Sequence, residues 1–309
     1  MRILFWGTPE FATPPLLALI GEGFDVVGVV TQPDRPRGRS HSVLDPTPVK
    51  VVAVEEGIPV LQPERPRGEE FERAVRDLAP DLSVVVAYGH ILSQQIIDLP
   101  TLGTLNIHAS LLPALRGAAP IQAAIAEGHE ETGVSIMRMV RALDAGPVLL
   151  SLPTPILPDE TGGELTLRLS ELGAAAIIEA LALIELGDAA EVPQDESRVT
   201  YAKKIEREDA RVDWTQDASV VARRIRAYDP KPGAWSALRG VETRFFGARI
   251  LSDRSGAPGE VLGTDDAGMI VACASGAVAV KEVHPAGKRR MAAQEWAAGR
   301  GVASGDAWG

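Results

Sequence analysis

Continuous apolar runs of strand length alternate with stretches of helical spacing through the first half of the chain. Residues 2–7 (Arg-Ile-Leu-Phe-Trp-Gly) form the first run, closed by Gly7-Thr8-Pro9. A helix is predicted from Pro9 to Ile20, with Phe11, Leu16, Leu17, Leu19 and Ile20 apolar and Gly21 and Gly23 ending it. Further strands are predicted at 25–31, 59–61, 81–88, 104–108, 132–140 and 146–151, and further helices at 49–56, 68–78 and Gly163 to Leu186. Strands that are apolar throughout, rather than at alternate positions, are covered on both faces. Alternating with helices, they predict a mostly parallel sheet. The expected fold is α/β, doubly wound and Rossmann-like.

The pattern changes near residue 187. Residues 187–216 are polar and charged with little apolar periodicity, as in a linker that wraps over the first domain. Asp217 to Tyr228 reads as a helix, with Val221, Ile225 and Tyr228 on its apolar face and Arg223, Arg224 and Arg226 off it. Short alternating segments follow at 234–238, 242–251, 259–263, 268–273 and 277–283, separated by Gly-rich turns. Five short strands in so small a region predict a small OB-like barrel. The expected organisation is a first domain over 1–187, a linker over 188–208 and a C-terminal OB-like domain over 209–309.

Composition is that of an ordinary globular protein: 309 residues, 45% hydrophobic and 24% charged. Glu179 and Glu185 interrupt the longest apolar stretch, and Met1 to Trp6 is too short for a signal-peptide apolar region, so no membrane association is expected. One cysteine, Cys273, excludes an internal disulfide and a multi-cysteine metal site. The expectation is a cytoplasmic enzyme without a metal or an obligate protein partner. The net charge of −11 argues against a polyanion partner, but it is unevenly spread. Residues 1–200 hold 14 Lys and Arg against 28 Asp and Glu, whereas residues 201–309 hold 17 against 14. Such asymmetry fits either a polyanion-binding C-terminal half or a small domain with incidental arginines.

Common nucleotide signatures are missing. Gly7-Thr8-Pro9-Glu10-Phe11-Ala12 has one glycine where a dinucleotide fingerprint needs three, and no phosphate-binding G-x-x-x-x-G-K-[ST] occurs. A nicotinamide dehydrogenase is therefore disfavoured. The candidate chemistry lies in Thr104-Leu105-Asn106-Ile107-His108 and the loop after it. Strand alternation puts Asn106 and His108 on one face at a strand's C-terminal end, where open α/β sheets bind ligands. An amide donor beside an imidazole can hold an oxyanion and move a proton. Asp144, in Ala142-Leu143-Asp144-Ala145-Gly146-Pro147, could orient that imidazole. The residues alone leave the bland readings open: a turn-capping Asn106, a core His108 and a turn aspartate.

Several stretches together carry a resemblance. They are Asn106 to Pro113, Arg116-Gly117-Ala118-Ala119-Pro120-Ile121 and Leu143-Asp144-Ala145-Gly146, joined by Gly7 to Ala12, Thr31-Gln32-Pro33-Asp34-Arg35-Pro36 and Val85 to Gly89. In the second half they are Val199 to Lys204 and Pro285-Ala286-Gly287-Lys288. In this order, over nearly the whole chain, they resemble the formyltransferases that use 10-formyltetrahydrofolate, and within them the branch acting on initiator Met-tRNA. The resemblance implies a catalytic trio of Asn106, His108 and Asp144, and folate binding by Gly89, Ser110, Leu111, Leu112 and Pro113. It implies formyl transfer to the α-amino group of methionine on initiator tRNA, in translation initiation. It also places a tRNA-contacting loop at Thr31 to Pro48, bearing Arg35, Arg37 and Arg39, with Arg39 matching the key arginine.

In the second half, Arg223, Arg224, Arg226, Lys288, Arg289 and Arg290 are natural phosphate contacts. The alternatives are an N-formyltransferase acting on an amino sugar nucleotide or other small amine, and a nonenzymatic RNA-binding protein on the same scaffold. The intact Asn106, His108 and Asp144 set speaks against the second.

Overall fold

A computed structural model describes residues 1–37 and 43–309. Contacts divide the chain into two units. The first is Met1–Gly117, Gly133–Thr154 and Thr166–Tyr201; the second is Ala118–Thr132, Pro155–Leu165 and Ala202–Gly309. Of the segment expected to be a linker, residues up to Tyr201 group with the first unit and the rest with the second.

The first unit is built on a seven-stranded sheet. Its order across the sheet is Val148–Pro155, Glu131–Arg138, Thr104–His108, Leu82–Val86, Arg2–Gly7, Asp25–Val30 and Val60–Leu61. The five strands from Thr104–His108 to Val60–Leu61 pair in parallel, and Glu131–Arg138 pairs antiparallel with Thr104–His108. The chain starts in the middle, builds outwards to Val60–Leu61, then crosses to the other side of Arg2–Gly7. The four parallel strands Arg2–Gly7, Asp25–Val30, Leu82–Val86 and Thr104–His108 all end at one edge, next to this switch point.

The apolar runs explain themselves. Leu82–Val86 is buried along its whole length and Arg2–Gly7 at all but its first residue, so neither strand needs a polar face. Trp6 anchors a core of Leu4, Val30, Val75, Val85, Tyr88, Leu92, Ile96 and Ile97, and its indole donates to Ser83 Oγ at 3.1 Å. The ring of Tyr88 meets Trp6 edge-on at 5.3 Å, which fixes the segment just after Leu82–Val86.

Local differences from expectation have local causes. The helix expected from Pro9 begins as a single 3₁₀ turn, Glu10–Ala12, and becomes α-helical at Thr13–Gly21. Within the proline-rich stretch Thr31 to Pro48, Arg35–Arg37 pairs antiparallel with Val43–Asp45. Pro120–Glu127 is a helix opened by proline at its first turn.

The second unit carries an antiparallel sheet in the order Ala234–Leu238, Val241–Leu251, Ala277–Pro285, Gly268–Ala272 and Val261–Asp265. Met291–Ala292 also pairs with Ala277–Pro285. Ala234–Leu238 alternates buried and half-buried positions, as a one-sided sheet should. Its aromatic core stacks Trp214 on Phe245 at 5.5 Å and Phe245 on Trp308 at 4.9 Å, both edge-on. The helix Ala218–Ala227 buries Ala218, Val221, Ala222 and Ile225.

Candidate active site

Three loops of the first unit converge at the C-terminal edge of its parallel strands. His108 is the last residue of Thr104–His108 and is only 6% exposed. Its Nε2 lies 3.0 Å from the Leu115 carbonyl, and its Nδ1 lies 3.8 Å from Asp144 Oδ2. A ring carrying hydrogens on both nitrogens would find an acceptor on each side, since a carbonyl and a carboxylate can only accept. At 3.8 Å the carboxylate contact is too long for a hydrogen bond, and it is an ion pair only when the ring is protonated. Asp144 Oδ2 also accepts from the Gly117 amide at 2.8 Å. The structure therefore brings His108 and Asp144 together across 36 residues of sequence. Asn106, two positions earlier on the same strand face, is half-buried and pairs in register with Val85 and Met137.

Asp144 sits at φ +47°, in the left-handed region that aspartate tolerates better than most residues. Three hydrogen bonds hold its loop: Arg138 N, on the sheet, donates to Pro147 O at 2.9 Å, and Gln194 Nε2 donates to Asp144 O at 2.8 Å and Gly146 O at 2.7 Å. A Cβ on Gly146 would lie 1.8 Å from the Arg138 carbonyl, so only glycine passes there. The Leu115 carbonyl facing His108 is held in turn. Thr200 Oγ1 accepts from Leu115 N and Thr200 O from Arg116 N, both at 2.9 Å.

The stretch expected to bind folate follows His108. Ser110 is buried and its hydroxyl donates to Ala114 O at 2.6 Å, so this side chain shapes the loop and does not face outwards. Leu111, Leu112 and Pro113 are half-buried, and the Leu112–Pro113 peptide is cis. Ser135, on the neighbouring strand, donates to Ser110 O at 2.8 Å and accepts from Leu112 N at 3.1 Å. Gly89 takes φ +89°, and a Cβ there would lie 2.5 Å from Gln32 Nε2. Gln32 Nε2 and Thr8 Oγ1 both donate to Tyr88 O at 3.0 Å, tying the ends of three parallel strands together. Burial pushes the Tyr88 phenol up to about 12, so it stays neutral and part of the wall.

Sequence reasoning missed Ser135 and Gln194 as supports, and it named Gln32 and Arg116 only within motifs. Arg116 is buried; its guanidinium meets Gln194 Oε1 at 3.0 and 2.8 Å and Glu196 Oε1 at 2.8 Å. Those hydrogen bonds to Glu196 hold its proton still more firmly than an ordinary arginine's.

The family described as formyl transferase matches residues 1–181, and the formyl transferase C-terminal domain matches residues 204–301. The methionyl-tRNA formyltransferase of Pseudomonas fluorescens SBW25 is 47% identical over 93% of this chain and 90% of its own length. That of Methylococcus capsulatus is 47% identical over 96% of both. The chain belongs to the methionyl-tRNA formyltransferase family. Among solved structures, HypX from Aquifex aeolicus in complex with tetrahydrofolic acid superposes with a TM-score of 0.68 at 25% identity. It covers 96% of this chain, which spans just under half (46%) of that protein. The methionyl-tRNA formyltransferase from Clostridium thermocellum, at 14% identity and a TM-score of 0.60 over 82% of this chain and 95% of its own, shows the likeness of fold alone.

In this member of the methionyl-tRNA formyltransferase family the basic residues singled out from the sequence differ in what they can reach. Arg35 donates to Gln32 Oε1 at 3.3 Å beside the Tyr88–Gly89 turn. Arg37 pairs through its backbone with Val43, and Arg39 lies outside the described residues. Lys50 Nζ at 2.6 Å and Gln62 Nε2 at 2.7 Å brace Asp34 at the loop's base and hold its carboxyl below the usual range, the Lys50 hydrogen bond most.

In the second unit Arg226 is a correction. It was expected to contact phosphate, but it is buried, its guanidinium donating to Pro158 O, because its place on the helix faces the unit's interior. Arg224 donates to Asp209 O at 2.5 Å. Arg223 is half-buried against Gly128, and its Nε has no partner among the described residues. Arg289 pairs with Glu295 at 2.5 Å. Arg290 pairs with Glu282 at 2.5 Å and lies 3.9 Å over the Phe246 ring. Lys288 is exposed.

Proposed function

We propose that this chain transfers the formyl group of 10-formyltetrahydrofolate to the α-amino group of methionine on initiator Met-tRNA. The observation that carries the proposal is the buried His108–Asp144 contact at the parallel strands' C-terminal edge, in a chain 47% identical to methionyl-tRNA formyltransferases.

The attacking amine must be neutral. As its nitrogen adds to the formyl carbon, negative charge grows on the formyl oxygen and a proton must leave that nitrogen. The Asn106 amide supplies a donor for the oxygen. His108 supplies a second once its Nε2 leaves the Leu115 carbonyl, a rearrangement that substrate entry would have to bring about. Asp144 faces Nδ1 at 3.8 Å and balances the charge of the ring when it is protonated. The proton passes to the donor's nitrogen, and tetrahydrofolate departs as an amine. Once aimed at the formyl oxygen and shielded from water by the bound substrates, two such donors are worth more than the same donors in bulk water.

The Gly89 backbone, with Gln32 packed where a Cβ would stand, and the Leu111–Leu112–Pro113 surface would meet the flat, partly apolar face of a pterin. Arg35, Arg37, Arg39, Arg223, Arg224 and Lys288 to Arg290 serve the tRNA, with Arg226 withdrawn to a structural role. We also read the antiparallel sheet of the second unit as an OB-like barrel and the molecule as cytoplasmic. No helix among the described residues is long and apolar enough to cross a membrane.

Incubating the protein with 10-formyltetrahydrofolate and an equimolar mixture of Met-tRNA and a nucleotide-linked amino sugar tests the reading. Formylation of Met-tRNA alone is expected; formylation of the sugar with unchanged Met-tRNA would contradict it.

A further inference from the structure

The segment after the long helix Gly162–Leu186 looks like a featureless linker in sequence, yet it is stitched onto the active-site loops. Val192 pairs with Val148, Gln194 and Glu196 hold Arg116, and Thr200 holds Leu115 and Arg116. Within this strap Gln194 is singular. Its Oε1 accepts from Arg116 Nε and Nη2, and its Nε2 donates to the carbonyls of Asp144 and Gly146. Two lone pairs and two hydrogens are thereby all used, which is the full hydrogen-bonding capacity of an amide. The partners also force its orientation. Turned over, the amide would set its oxygen against two carbonyls and its NH₂ against a guanidinium.

The two segments that Gln194 joins are those that meet at the reacting pair. Arg116 is followed by Gly117, whose amide donates to Asp144 Oδ2, and Asp144 faces His108 Nδ1. Main chain and side chain of Asp144 are thus pinned to residues 116–117 by separate bonds, one through Gln194 and one through Gly117. The residue held this way sits at φ +47°, a conformation that needs outside support.

We propose that Gln194 is a positioning residue for formyl transfer: it sets the Asp144 carboxylate against His108 by clamping the Asp144–Gly146 main chain to the buried Arg116. The proposal rests on the formyltransferase reading above for its kinetic arm, but not for its structural arm.

The decisive variant is Gln194→Glu. A carboxylate keeps the acceptor that Arg116 needs but has no hydrogens for the two carbonyls, so only the Asp144 half of the clamp is lost. Turnover on Met-tRNA should fall about 10- to 100-fold, the usual cost of a small misplacement of reacting groups. KM for 10-formyltetrahydrofolate and for Met-tRNA should stay within about threefold, since neither is bound mainly through this loop. Combining the change with Asp144→Asn should give a protein hardly slower than Asp144→Asn alone, because one residue acts through the other. Independently of activity, deuterium exchange at the Gly117 amide should quicken in Gln194→Glu.

A wild-type protein that does not formylate Met-tRNA would sink the functional reading while leaving the Gly117 exchange as a test of the clamp. Full turnover in folded Gln194→Glu, losses that add to those of Asp144→Asn, or unchanged Gly117 exchange would each overturn the proposal. If Gln194→Glu does not fold, uncharged Gln194→Met is read the same way. Failure of both to fold would also overturn it, by showing that the amide holds up the unit and not merely the loop.

Discussion

At the scale of single residues, the candidate site is a set of buried hydrogen bonds with few spare partners, and that makes its weak points identifiable. Ser135 is fully buried and serves Ser110 O and Leu112 N at once, while Ser151 lies 3.1 Å away. Ser135→Ala would leave a buried carbonyl and amide unpaired, costing about 1–3 kcal/mol. Because both belong to the stretch proposed to hold the pterin, KM for the formyl donor should rise more than turnover falls. Thermal melting and steady-state kinetics check the two parts separately. Cys273 offers a simpler test. Burial pushes its thiol up to about 11, and the reactive species is the thiolate. A thiol-alkylating reagent at pH 8 should leave the native protein essentially unmodified and label it stoichiometrically once denatured; rapid labelling of folded protein would contradict the packing around Gly268–Ala272.

At the scale of elements, strands and loops divide the labour. The parallel strands end together at one edge, and the loops leaving them are tied by side chains to main-chain carbonyls: Gln32 and Thr8 to Tyr88, Gln62 to Gln32, Gln194 to Asp144 and Gly146. The base of the Pro-rich loop depends on Asp34, held by Lys50 and Gln62. Its carboxyl is lowered in the folded chain, so the stability it adds is present above the ordinary aspartate range, about 3.9, and is lost as pH falls through the lowered folded value. The melting temperature of Asp34→Asn should therefore trail that of wild type at neutral pH, with the gap closing in strong acid.

The same ties explain what the sequence discloses. Strands such as Leu82–Val86 are legible because burial on both faces leaves a continuous apolar run. Asn106 and His108 are legible as a pair because strand alternation aligns them, and Asp144 only through resemblance, since its partner lies 36 positions away. Gln194 is illegible. It bonds to carbonyls, which every residue has, and to an arginine whose burial nothing nearby foretells. Arg226 misled for a related reason: its neighbours Arg223 and Arg224 suggested an exposed basic face, yet it sits on the buried side of Ala218–Ala227 with Ala222 and Ile225.

At the scale of the molecule, an acidic first part and a basic last part would steer a polyanion towards some surfaces and away from others. The net charge of −11 is no obstacle to tRNA if contact is confined to the basic patches. Binding of Met-tRNA should weaken as salt rises, and Lys288→Gln should reduce the slope of log affinity against log salt by about 1, as expected for one lost phosphate contact. Arg226→Gln should leave that slope unchanged, because its guanidinium is spent on Pro158 O. Binding, however, is only the approach to the chemistry. The central claim is that formyl transfer to Met-tRNA runs through the Asp144–His108 pair. Asp144→Asn keeps the shape but removes the carboxylate's charge, so the single-turnover rate from bound 10-formyltetrahydrofolate to Met-tRNA tests it most directly. A fall on the order of 10²–10⁴, with tRNA affinity and melting curve unchanged, is the expected result. Transfer at a near-wild-type rate in folded Asp144→Asn would contradict the account and return Asp144 to the role of a turn residue.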